Sequence, residues 1–534
     1  GGDASIHQSD TGQLDIHQTT DRALIEWNQF NIDPNELVRF VQPGSESVAL
    51  NRIIGADPSA ILGALSANGR VFLINPNGIL FGVNATVDVS GLLATTMDIN
   101  NADFMAGNDL FSGAGGTIIN RGRIKVADNG FVFLVAPGVK NEGLIVAHLG
   151  RVVLGSGERM TIDFMGDGLL QYAIDGKVLN QVAGQDGTPL AAAVDNQGTI
   201  IADGGEVVLT ARASSDILGT AINQTGVIRA NSLTNRGGVI RLEASDPITG
   251  EVEIGRQANL GRAQNAGGTV IHSGVLDVSA KEAGAAKGVV ILSGERVGVS
   301  GDIHAENGSV LVTSTNKTVV TGSSAINTSG VEAGSAGNLV IWSDDTTLFN
   351  GDILARGGDV GGNAGAVEVS GYQNLGFAGT VDLAAPHGVE GTLLLDPANL
   401  TIKAVTSGDH DAGLPNILAG AATIGADTVS EAAIEKITKG TITLEATDTI
   451  KVGSLTNGLT LSPDTSIKLR TQTGSITAKS AIVASGSGSI IIDQGSSPGD
   501  GLGMVSTSKL QVDKGTIQIT ADGNVKVKEI VAPA

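Results

Sequence analysis

Apolar and polar residues alternate in short segments along the chain, and one such segment recurs. It begins with glycine and lies at 130–134, 150–154, 205–209 and 238–242. Successive side chains of a β-strand point to opposite faces. One face of each segment is therefore purely aliphatic, with Val132, Leu134, Val152, Leu154, Val207, Leu209, Ile240 and Leu242. The other face is mixed and holds Phe133, Arg151, Glu206 and Arg241. The pattern predicts strands whose uniform face points into a shared core.

Asparagine and glycine mark the start of a second strand type. It lies at 141–147 and 196–202, and recurs with one extra residue at 120–127 and 223–230. Asn-x-Gly suits a tight corner because both residues tolerate backbone conformations that others avoid. We expect Ile145, Ile200 and Ile228 to stack in the core behind these corners.

The spacing of the repeats predicts the architecture. Gly130 and Gly150 are 20 residues apart, and a period near this length with two or three short strands is typical of a solenoid. A β-sandwich or a closed barrel would not repeat the same inward positions at a constant period. The sequence therefore predicts an all-β fold, a parallel β-helix (β-solenoid), and the general preference for right-handed crossovers makes it right-handed.

Two regions near the N-terminus depart from the repeat. Residues 1–45 are expected to form an N-terminal cap, because an open solenoid end would expose apolar core and unpaired strand edges. Between Ser156 and Val194, the segments Met160–Phe164, Leu169–Ile174 and Lys177–Leu179 are expected to form extra strands on the outside of the β-helix.

Beyond residue 250 the strand pattern continues with looser spacing. It breaks between His410 and Lys439, where Ser430 is expected to cap a short helix that runs to Ile437. Strands then resume and the pattern is still running at Ala534, so we expect the chain to be the N-terminal piece of a longer protein. The expected divisions are 1–250, 251–400 and 401–534, with the helical insert near 411–439.

Composition narrows the functional classes. The 534 residues include 76 glycines, 3% aromatic residues and no cysteine, and the net charge is −22. Absence of cysteine excludes disulfide bonds and thiolate metal sites. The negative net charge argues against nucleic acid as a binding partner, because binding to phosphates needs a basic surface.

A short motif carries the most specific signal. Asn75-Pro76-Asn77-Gly78 lies between the apolar segments Val71–Ile74 and Ile79–Phe81, and its residue types predict a tight turn. Taken with the upstream segments 20–32, 41–43 and 49–53, this succession resembles the N-terminal secretion domain of two-partner secretion exoproteins. These form the filamentous haemagglutinin and high-molecular-weight adhesin family of Gram-negative bacteria. The resemblance covers at least residues 1 to about 240, and weaker similarity continues to the end.

The resemblance implies export and a surface location. It implies a right-handed β-helix with extra-helical hairpins, and secretion to the medium or cell surface after passage through the periplasm. It also implies a partner, an outer-membrane transporter with periplasmic domains and a β-barrel. The secretion motif carried over from the family comprises Asn75, Pro76, Asn77, Gly78 and Ile79. Residues 1–250 would be the secretion domain with its cap, 251–400 a continuing β-helix, and 401–534 the start of the adhesin passenger.

The same resemblance leaves the target open. We expect a monomeric rod that acts as a stalk for adhesion to host cells, other bacteria or biofilm exopolysaccharide, with a glycan, exopolysaccharide or host receptor as binding partner. Exoproteins that bind a haem carrier, lyse cells or carry a contact-dependent toxin share this secretion domain and are alternatives.

A polysaccharide-active enzyme on a β-helix is a further alternative. Arg123-Ile124-Lys125 resembles an element of pectin hydrolases, but their clustered aspartates and Gly-His-Gly are missing. Asp344-Asp345 fits a solvated turn. His7 and His17 share Ile-His-Gln settings and could approach each other, yet a metal site needs a third or fourth ligand. We therefore expect no enzyme activity, no cofactor and no metal.

Overall fold

A computed structural model gives the fold. It describes residues 1–8, 12–113, 115–163, 171–175, 188, 190–211, 220–248, 252–254, 263–404, 414, 416–419, 427–495 and 504–533. The chain divides into two compact units. Unit 1 is Gly1–Asp246 with Asn265–Asp277, and unit 2 is Pro247–Gln264 with Val278–Ala534.

Unit 1 consists of short strands and one helix. They are β1 Ala4–Gln8, β2 Gln13–Gln18, β3 Arg22–Trp27, β4 Leu37–Val41, β5 Val48–Ile53, β6 Ser59–Ile61, β7 Ala64–Ala67, β8 Arg70–Ile74, β9 Ile79–Phe81, β10 Thr86–Val89, β11 Gly91–Thr95, β12 Asp98–Ile99, α1 Asn101–Ala106, β13 Asp109–Ser112, β14 Thr117–Asn120, β15 Arg123–Val126, β16 Phe131–Val135, β17 Gly138–Asn141, β18 Leu144–Val146, β19 Arg151–Ser156, β20 Arg159–Asp163, β21 Gln171–Asp175, β22 Ala192–Asn196, β23 Thr199–Ile201, β24 Glu206–Ala211, β25 Thr220–Gln224, β26 Val227–Arg229, β27 Val239–Glu243, β28 Thr269–His272 and β29 Val275–Asp277.

Three ladders of parallel strands build unit 1, and each of the coils from β4 to β28 contributes a strand to each ladder. The first ladder runs β2-β4-β7-β10-β15-β18-β23-β26-β29. The second runs β3-β5-β8-β11-β16-β19-β24-β27. The third runs β6-β9-β14-β17-β22-β25-β28. This arrangement is a parallel β-helix, which confirms the predicted fold class.

The predicted inward positions form the core. In the second ladder Val132, Val152, Val207 and Ile240 occupy successive rungs, and all four are fully buried. In the first ladder Ile145, Ile200 and Ile228 do the same. Because each coil presents the same aliphatic position to the next, the core is continuous along unit 1.

The outer face of the second ladder is mixed, as expected, with Arg151, Glu206 and Arg241 partly exposed, but one of its columns is apolar. Phe133 belongs to a column in which Leu50, Phe72, Leu93 and Val153 are paired rung by rung, and all are fully buried. An antiparallel sheet of β12, β13, β20 and β21, together with α1, contributes residues to the same core cluster. The outward column is therefore a second hydrophobic core on the outside of the β-helix.

The predicted external strands are confirmed where the structure describes them. β20 and β21 pair antiparallel from Arg159↔Asp175 to Asp163↔Gln171. Phe164, Leu169–Leu170 and Lys177–Leu179 lie outside the described residues. β12, β13 and α1, which complete this external layer, have no counterpart among the predicted elements.

The N-terminal cap reverses strand direction. β1 pairs antiparallel with β2, whereas β2 pairs parallel with β4. Behind this edge the buried side chain of Gln42 donates to Gln18 Oε1 at 3.1 Å and to the carbonyl oxygen of Ser47 at 3.0 Å. β1 thus occupies the edge of β2 that faces away from β4.

Unit 2 is also strand-rich. Its elements are β30 Val289–Val299, β31 Asp302–His304, β32 Ser309–Val320, β33 Ala325–Asn327, β34 Leu339–Ser343, β35 Thr346–Phe349, β36 Asp352–Leu354, β37 Ala366–Gly371, β38 Asn374–Phe377, β39 Thr380–Asp382, β40 Thr392–Leu395, β41 Asn399–Lys403, α2 Asn416–Ala419, β42 Thr428–Ser430, α3 Glu431–Lys436, β43 Gly440–Ala446, β44 Thr449–Val452, β45 Leu459–Leu461, β46 Thr465–Thr471, β47 Ile476–Ala478, β48 Ile482–Ala484, β49 Ile490–Gln494, β50 Met504–Val512, β51 Ile517–Ala521 and β52 Asn524–Val531.

Parallel pairing continues within unit 2, for example from β30 through β32 to β34 and β37. The predicted capped helix is confirmed as α3, with Ser430 Oγ accepting from the amide of Ala433 at 3.3 Å. Among the described residues of the chain, no helix is long and apolar enough to cross a membrane.

Candidate functional site

The predicted tight turn lies between β8 and β9. The amide of Gly78 donates to the carbonyl oxygen of Asn75 at 3.1 Å, which closes a β-turn. Gly78 has a φ of 113°, a backbone conformation that residues with a side chain rarely adopt. Pro76 and Asn77 are exposed at the tip, whereas Asn75 and Ile79 are buried. The turn therefore presents Pro76 and Asn77 to solvent and buries the other residues of the motif.

The side chain of Asn75 is fully buried and fully hydrogen-bonded. Its Nδ2 donates to the carbonyl oxygen of Asp57 and to Ser59 Oγ, both at 3.0 Å. Its Oδ1 accepts from the backbone amide of Asn77 at 2.9 Å and from Asn77 Nδ2 at 3.2 Å. Asn77 Nδ2 also reaches the carbonyl oxygen of Gly55 at 3.0 Å. Two donors and two acceptor positions are thus used, as burial of an amide demands.

The backbone of the turn contacts later segments as well. The amide of Asn75 donates to the carbonyl oxygen of Thr95 at 3.0 Å, and the amide of Gly116 donates to that of Pro76 at 2.8 Å. A Cβ on Gly116 would lie 2.5 Å from the carbonyl oxygen of Asn77, so only glycine fits against the turn. The turn consequently links the coil before it with two segments that follow it in sequence.

Ile79 has a different role from the polar residues of the motif. It is fully buried and occupies the same rung position as Ser59 in the preceding coil and Ile118 in the following one. Its side chain therefore contributes to the core behind the turn, and the surface that the motif offers is limited to Pro76 and Asn77.

A ladder of buried amides follows the predicted Asn-x-Gly corners. Asn120 Nδ2 donates to Asn141 Oδ1 at 2.7 Å, and Asn141 Nδ2 donates to Asn196 Oδ1 at 2.7 Å. Asn196 Nδ2 then donates to Gln224 Oε1 at 2.6 Å. The sequence pattern aligned Asn223 with this position, but the structure pairs Gln224 with Asn196, so that Gln224-Thr225-Gly226 matches Asn196-Gln197-Gly198 without an extra residue. The corners are therefore joined through side chains as well as through backbone.

One buried ion pair was not foreseen from the sequence. Arg22 of β3 pairs with Asp109 of β13, and the Arg22 guanidinium lies 4.2 Å from the ring centroid of Phe104 in α1. Burial raises the pKa of the Asp109 carboxyl, and the charge of Arg22 opposes that shift. This contact joins the external sheet to the first coils. The two residues are 87 positions apart and share no motif, so the sequence pattern did not predict this ion pair.

The enzyme-like triplet has the geometry of an ordinary strand. Ile124 is fully buried, whereas Arg123 and Lys125 are exposed on the outer face of β15. The Lys125 ammonium lies 3.8 Å from Asp88 in the neighbouring strand. These two basic residues follow the alternation of the strand, and the triplet has a structural explanation.

The two N-terminal histidines do approach each other. The rings of His7 and His17 are 5.7 Å apart in an edge-to-face arrangement on β1 and β2. Asp15 on the same face is held by Arg39 at 2.8 Å, and hydrogen bonds from Gln13 and Arg39 lower the pKa of the Asp15 carboxyl. Across the described residues, no group of three or more His, Cys, Asp or Glu side chains is arranged to hold a metal ion.

The other acidic candidate is part of a turn. Asp344 Oδ1 accepts from Trp342 Nε1 at 2.8 Å, and the backbone amide of Asp345 donates to Ser343 Oγ at 3.2 Å. These bonds fix the turn between β34 and β35, as expected for a solvated turn.

Comparison with known proteins gives the family. Residues 1–254 match the family model of the TPS secretion domain. The crystal structure of the HMW1 secretion domain from Haemophilus influenzae is similar over 73% of this chain and 97% of that chain, with 30% sequence identity and a TM-score of 0.57.

Two curated relatives are heme/hemopexin-binding proteins of Haemophilus influenzae. One, from strain Rd, is 33% identical over 260 residues, which is 45% of this chain and 27% of the relative. The other is 27% identical over 282 residues, which is 48% of this chain and 28% of the relative. The chain thus spans little more than a quarter of each relative, and neither bears the name of an enzyme. The chain belongs to the two-partner secretion exoproteins, which are secreted across the outer membrane, and residues 1–254 are its TPS secretion domain.

Proposed function

We propose that the secretion domain directs export through a cognate outer-membrane β-barrel transporter and nucleates folding of the β-helix outside the cell. The observation that carries this proposal is the turn at Asn75, which is bonded to the coil before it and to two segments after it. The similarity to the HMW1 secretion domain supports the same role.

The hydrogen bonds of Asn75 suggest how the turn acts in folding. Its buried amide is satisfied only when Asp57 and Ser59 of the preceding coil are in place. A buried amide without partners costs about 1–3 kcal/mol, so the turn is stable only together with its neighbours. The first coils then form as one cooperative block, on which later coils can stack without an external energy source.

The exposed residues of the motif are the proposed contact for the transporter. Pro76 and Asn77 are the members of the motif that reach solvent. Recognition of the folded turn would use these two side chains, whereas recognition of the unfolded motif could use all of Asn75, Pro76, Asn77, Gly78 and Ile79.

For the remainder of the exoprotein we propose a stalk for adhesion to host cells, other bacteria or biofilm exopolysaccharide. Repeated parallel strands with few aromatic side chains suit a scaffold better than a binding tip. The division into 1–250, 251–400 and 401–534, the last being the start of the passenger, is part of this proposal. A second candidate is binding of a haem carrier, which the names of the two curated relatives favour.

Secretion tests the export proposal directly. The chain is expressed behind a signal peptide, with and without its candidate transporter, as wild type, as Asn75→Ala/Asn77→Ala and as the matched control Asn84→Ala. Asn84 is exposed at the next corner. We expect accumulation in the medium that requires the transporter, falls at least fivefold in the double variant and is unchanged in the control. Normal export of the double variant would mean that the motif acts only as a structural turn. Retention of wild type in the periplasm despite the transporter would overturn the export role.

A further inference from the structure

A polar groove of about 360 Å³ lies on the surface of unit 1, at the corner where successive coils enter the second ladder. It is separate from the turn at Asn75. Side chains and glycines from four coils line it, and the residues that matter below are Asn129, Leu149, Arg151, Glu206 and Arg236.

One wall of the groove is a loop, residues 231–237, which folds back over earlier coils. Within it the backbones of Leu233 and Arg236 are hydrogen-bonded to each other at 2.8 and 3.3 Å. Arg236 Nη1 donates to Asn129 Oδ1 at 2.9 Å and to the carbonyl oxygen of Leu149 at 3.2 Å. These two bonds hold an exposed guanidinium across the mouth of the groove, 107 residues away from Asn129.

Glycines form the floor, for a structural reason. A Cβ on Gly150 would lie 2.2 Å from the carbonyl oxygen of Gly130, and one on Gly205 would lie 2.1 Å from that of Gly150. The close stacking of coils thus requires glycine at each rung. Its consequence is a floor without side chains, and this is what leaves space for a ligand to reach the backbone.

The charge in the groove favours an anion. Glu206 already pairs with Arg151 at 2.7 Å and with Arg241 at 3.2 Å, so its carboxylate is neutralised. The two hydrogen-bond partners of Arg236 are uncharged. Arg151 and Arg236 together oppose one lining carboxylate, which makes this a locally positive site on a chain with a net charge of −22.

We propose that this groove binds the carboxylate-bearing sugar units of an acidic glycan. Guanidinium groups pair with carboxylates through parallel hydrogen bonds, and Arg236 at the mouth is placed to do so. The volume is at the small end for ligand sites, which suits one or two sugar rings. The proposal goes beyond the stalk function, because it assigns ligand binding to the secretion domain itself.

The acceptors in the groove favour a sugar over a simple anion. The oxygens of Glu206 and Asn129 are acceptors with remaining lone pairs, and sugar hydroxyls can donate to them. Inorganic phosphate at neutral pH offers few donors for these acceptors.

The test uses the purified 534-residue chain and isothermal titration calorimetry with tetragalacturonate, its methyl ester and inorganic phosphate. The variants are Arg236→Gln and the matched control Arg121→Gln, which removes an exposed arginine on the same unit that pairs with Glu142 outside the groove. We expect binding of tetragalacturonate to wild type and to the control, and at least a tenfold loss in Arg236→Gln. We also expect the methyl ester and phosphate to bind at least tenfold more weakly.

The proposal would be overturned by no heat of binding at millimolar tetragalacturonate, by equal binding by Arg236→Gln, or by equal binding of the methyl ester. Phosphate binding as strong as tetragalacturonate would reduce the groove to a general anion site and also contradict it. Because purified protein is used, failure here is distinguishable from failure of export.

Discussion

Buried asparagines stabilise two regions of unit 1 in different ways. In the amide ladder, Asn120, Asn141 and Asn196 each bond to the equivalent residue one coil away. In the turn, Asn75 bonds to backbone and hydroxyl groups of unlike residues, within its own turn and in the preceding coil. The ladder therefore repeats one interaction, whereas the turn assembles several different interactions at one point. This difference predicts that damage to the ladder affects stability alone, whereas damage to the turn affects export as well.

The largest expected effect is in the ladder. Asn141→Ala leaves the Nδ2 of Asn120 and the Oδ1 of Asn196 without their partner inside the protein. Each buried unsatisfied group costs about 1–3 kcal/mol, so we expect the free energy of unfolding to fall by about 3 kcal/mol. Guanidinium unfolding of the full chain, followed by circular dichroism, measures this. A loss no larger than that of Asn84→Ala would mean that the ladder contributes little.

The turn should show a smaller loss of stability with a larger loss of secretion. Asn75→Ala frees the carbonyl of Asp57, Ser59 Oγ and the amide of Asn77, but the tip of the turn is exposed, and water can reach Asn77. We expect a decrease of about 2 kcal/mol in unfolding free energy. Secretion of Asn75→Ala should fall below that of Asn141→Ala. If Asn141→Ala were secreted less than Asn75→Ala, the proposed difference between the ladder and the turn would be wrong.

The exposed proline should matter least to the fold. Pro76 contributes a carbonyl oxygen to Gly116, and alanine keeps that bond. Pro76→Ala therefore changes mainly the entropy of the unfolded chain, and we expect a loss of about 0.5 kcal/mol. If secretion nevertheless falls as much as in Asn75→Ala, we would infer that the transporter recognises the exposed tip of the turn. If secretion of Pro76→Ala is unchanged, the loss of secretion in Asn75→Ala would be due to its buried amide.

The smallest expected effect is a pH dependence of stability that comes from Asp195, which lies beside the amide ladder. Burial raises the pKa of the Asp195 carboxyl, against hydrogen bonds from Asn223 and Gln197. In the folded state this carboxyl therefore keeps its proton to a higher pH than in the unfolded chain, so its contribution to stability falls as pH rises above about 4. Asp195→Asn removes this titration. We expect the thermal midpoint of the variant to rise relative to that of wild type as the pH increases from 4 to neutrality. A difference in thermal midpoint that does not change with pH would contradict the raised pKa of Asp195.

The coil register could be predicted from the sequence because it depends on repeated aliphatic positions. Val132, Val152 and Val207 stack as expected, since a one-residue shift would move every one of them out of the core inside the coils. The external layer could not be predicted as fully. Its short strands β12 and β13 lack a period, and the Arg22–Asp109 pair that anchors it joins distant segments.

The candidate site was predictable as a motif but not as a set of contacts. The residue types of Asn75 to Gly78 predict a turn wherever they occur. Their partners at Asp57, Ser59 and Gly116 depend on which coils lie side by side, and a local motif carries no information on that. The same limit explains Gln224, whose place in the ladder follows from coil alignment rather than from an asparagine in the sequence.

The amide ladder also bears on how such a chain can change in evolution. Its successive rungs are 21, 55 and 28 residues apart in sequence, yet their hydrogen bonds are 2.7, 2.7 and 2.6 Å long. The long interval contains the external strands β20 and β21. An insertion between rungs can therefore grow outward without disturbing the register of the coils, and a duplicated coil brings its own rung. Surface segments between rungs can therefore lengthen while the side-chain amides of these corners keep the coils in alignment.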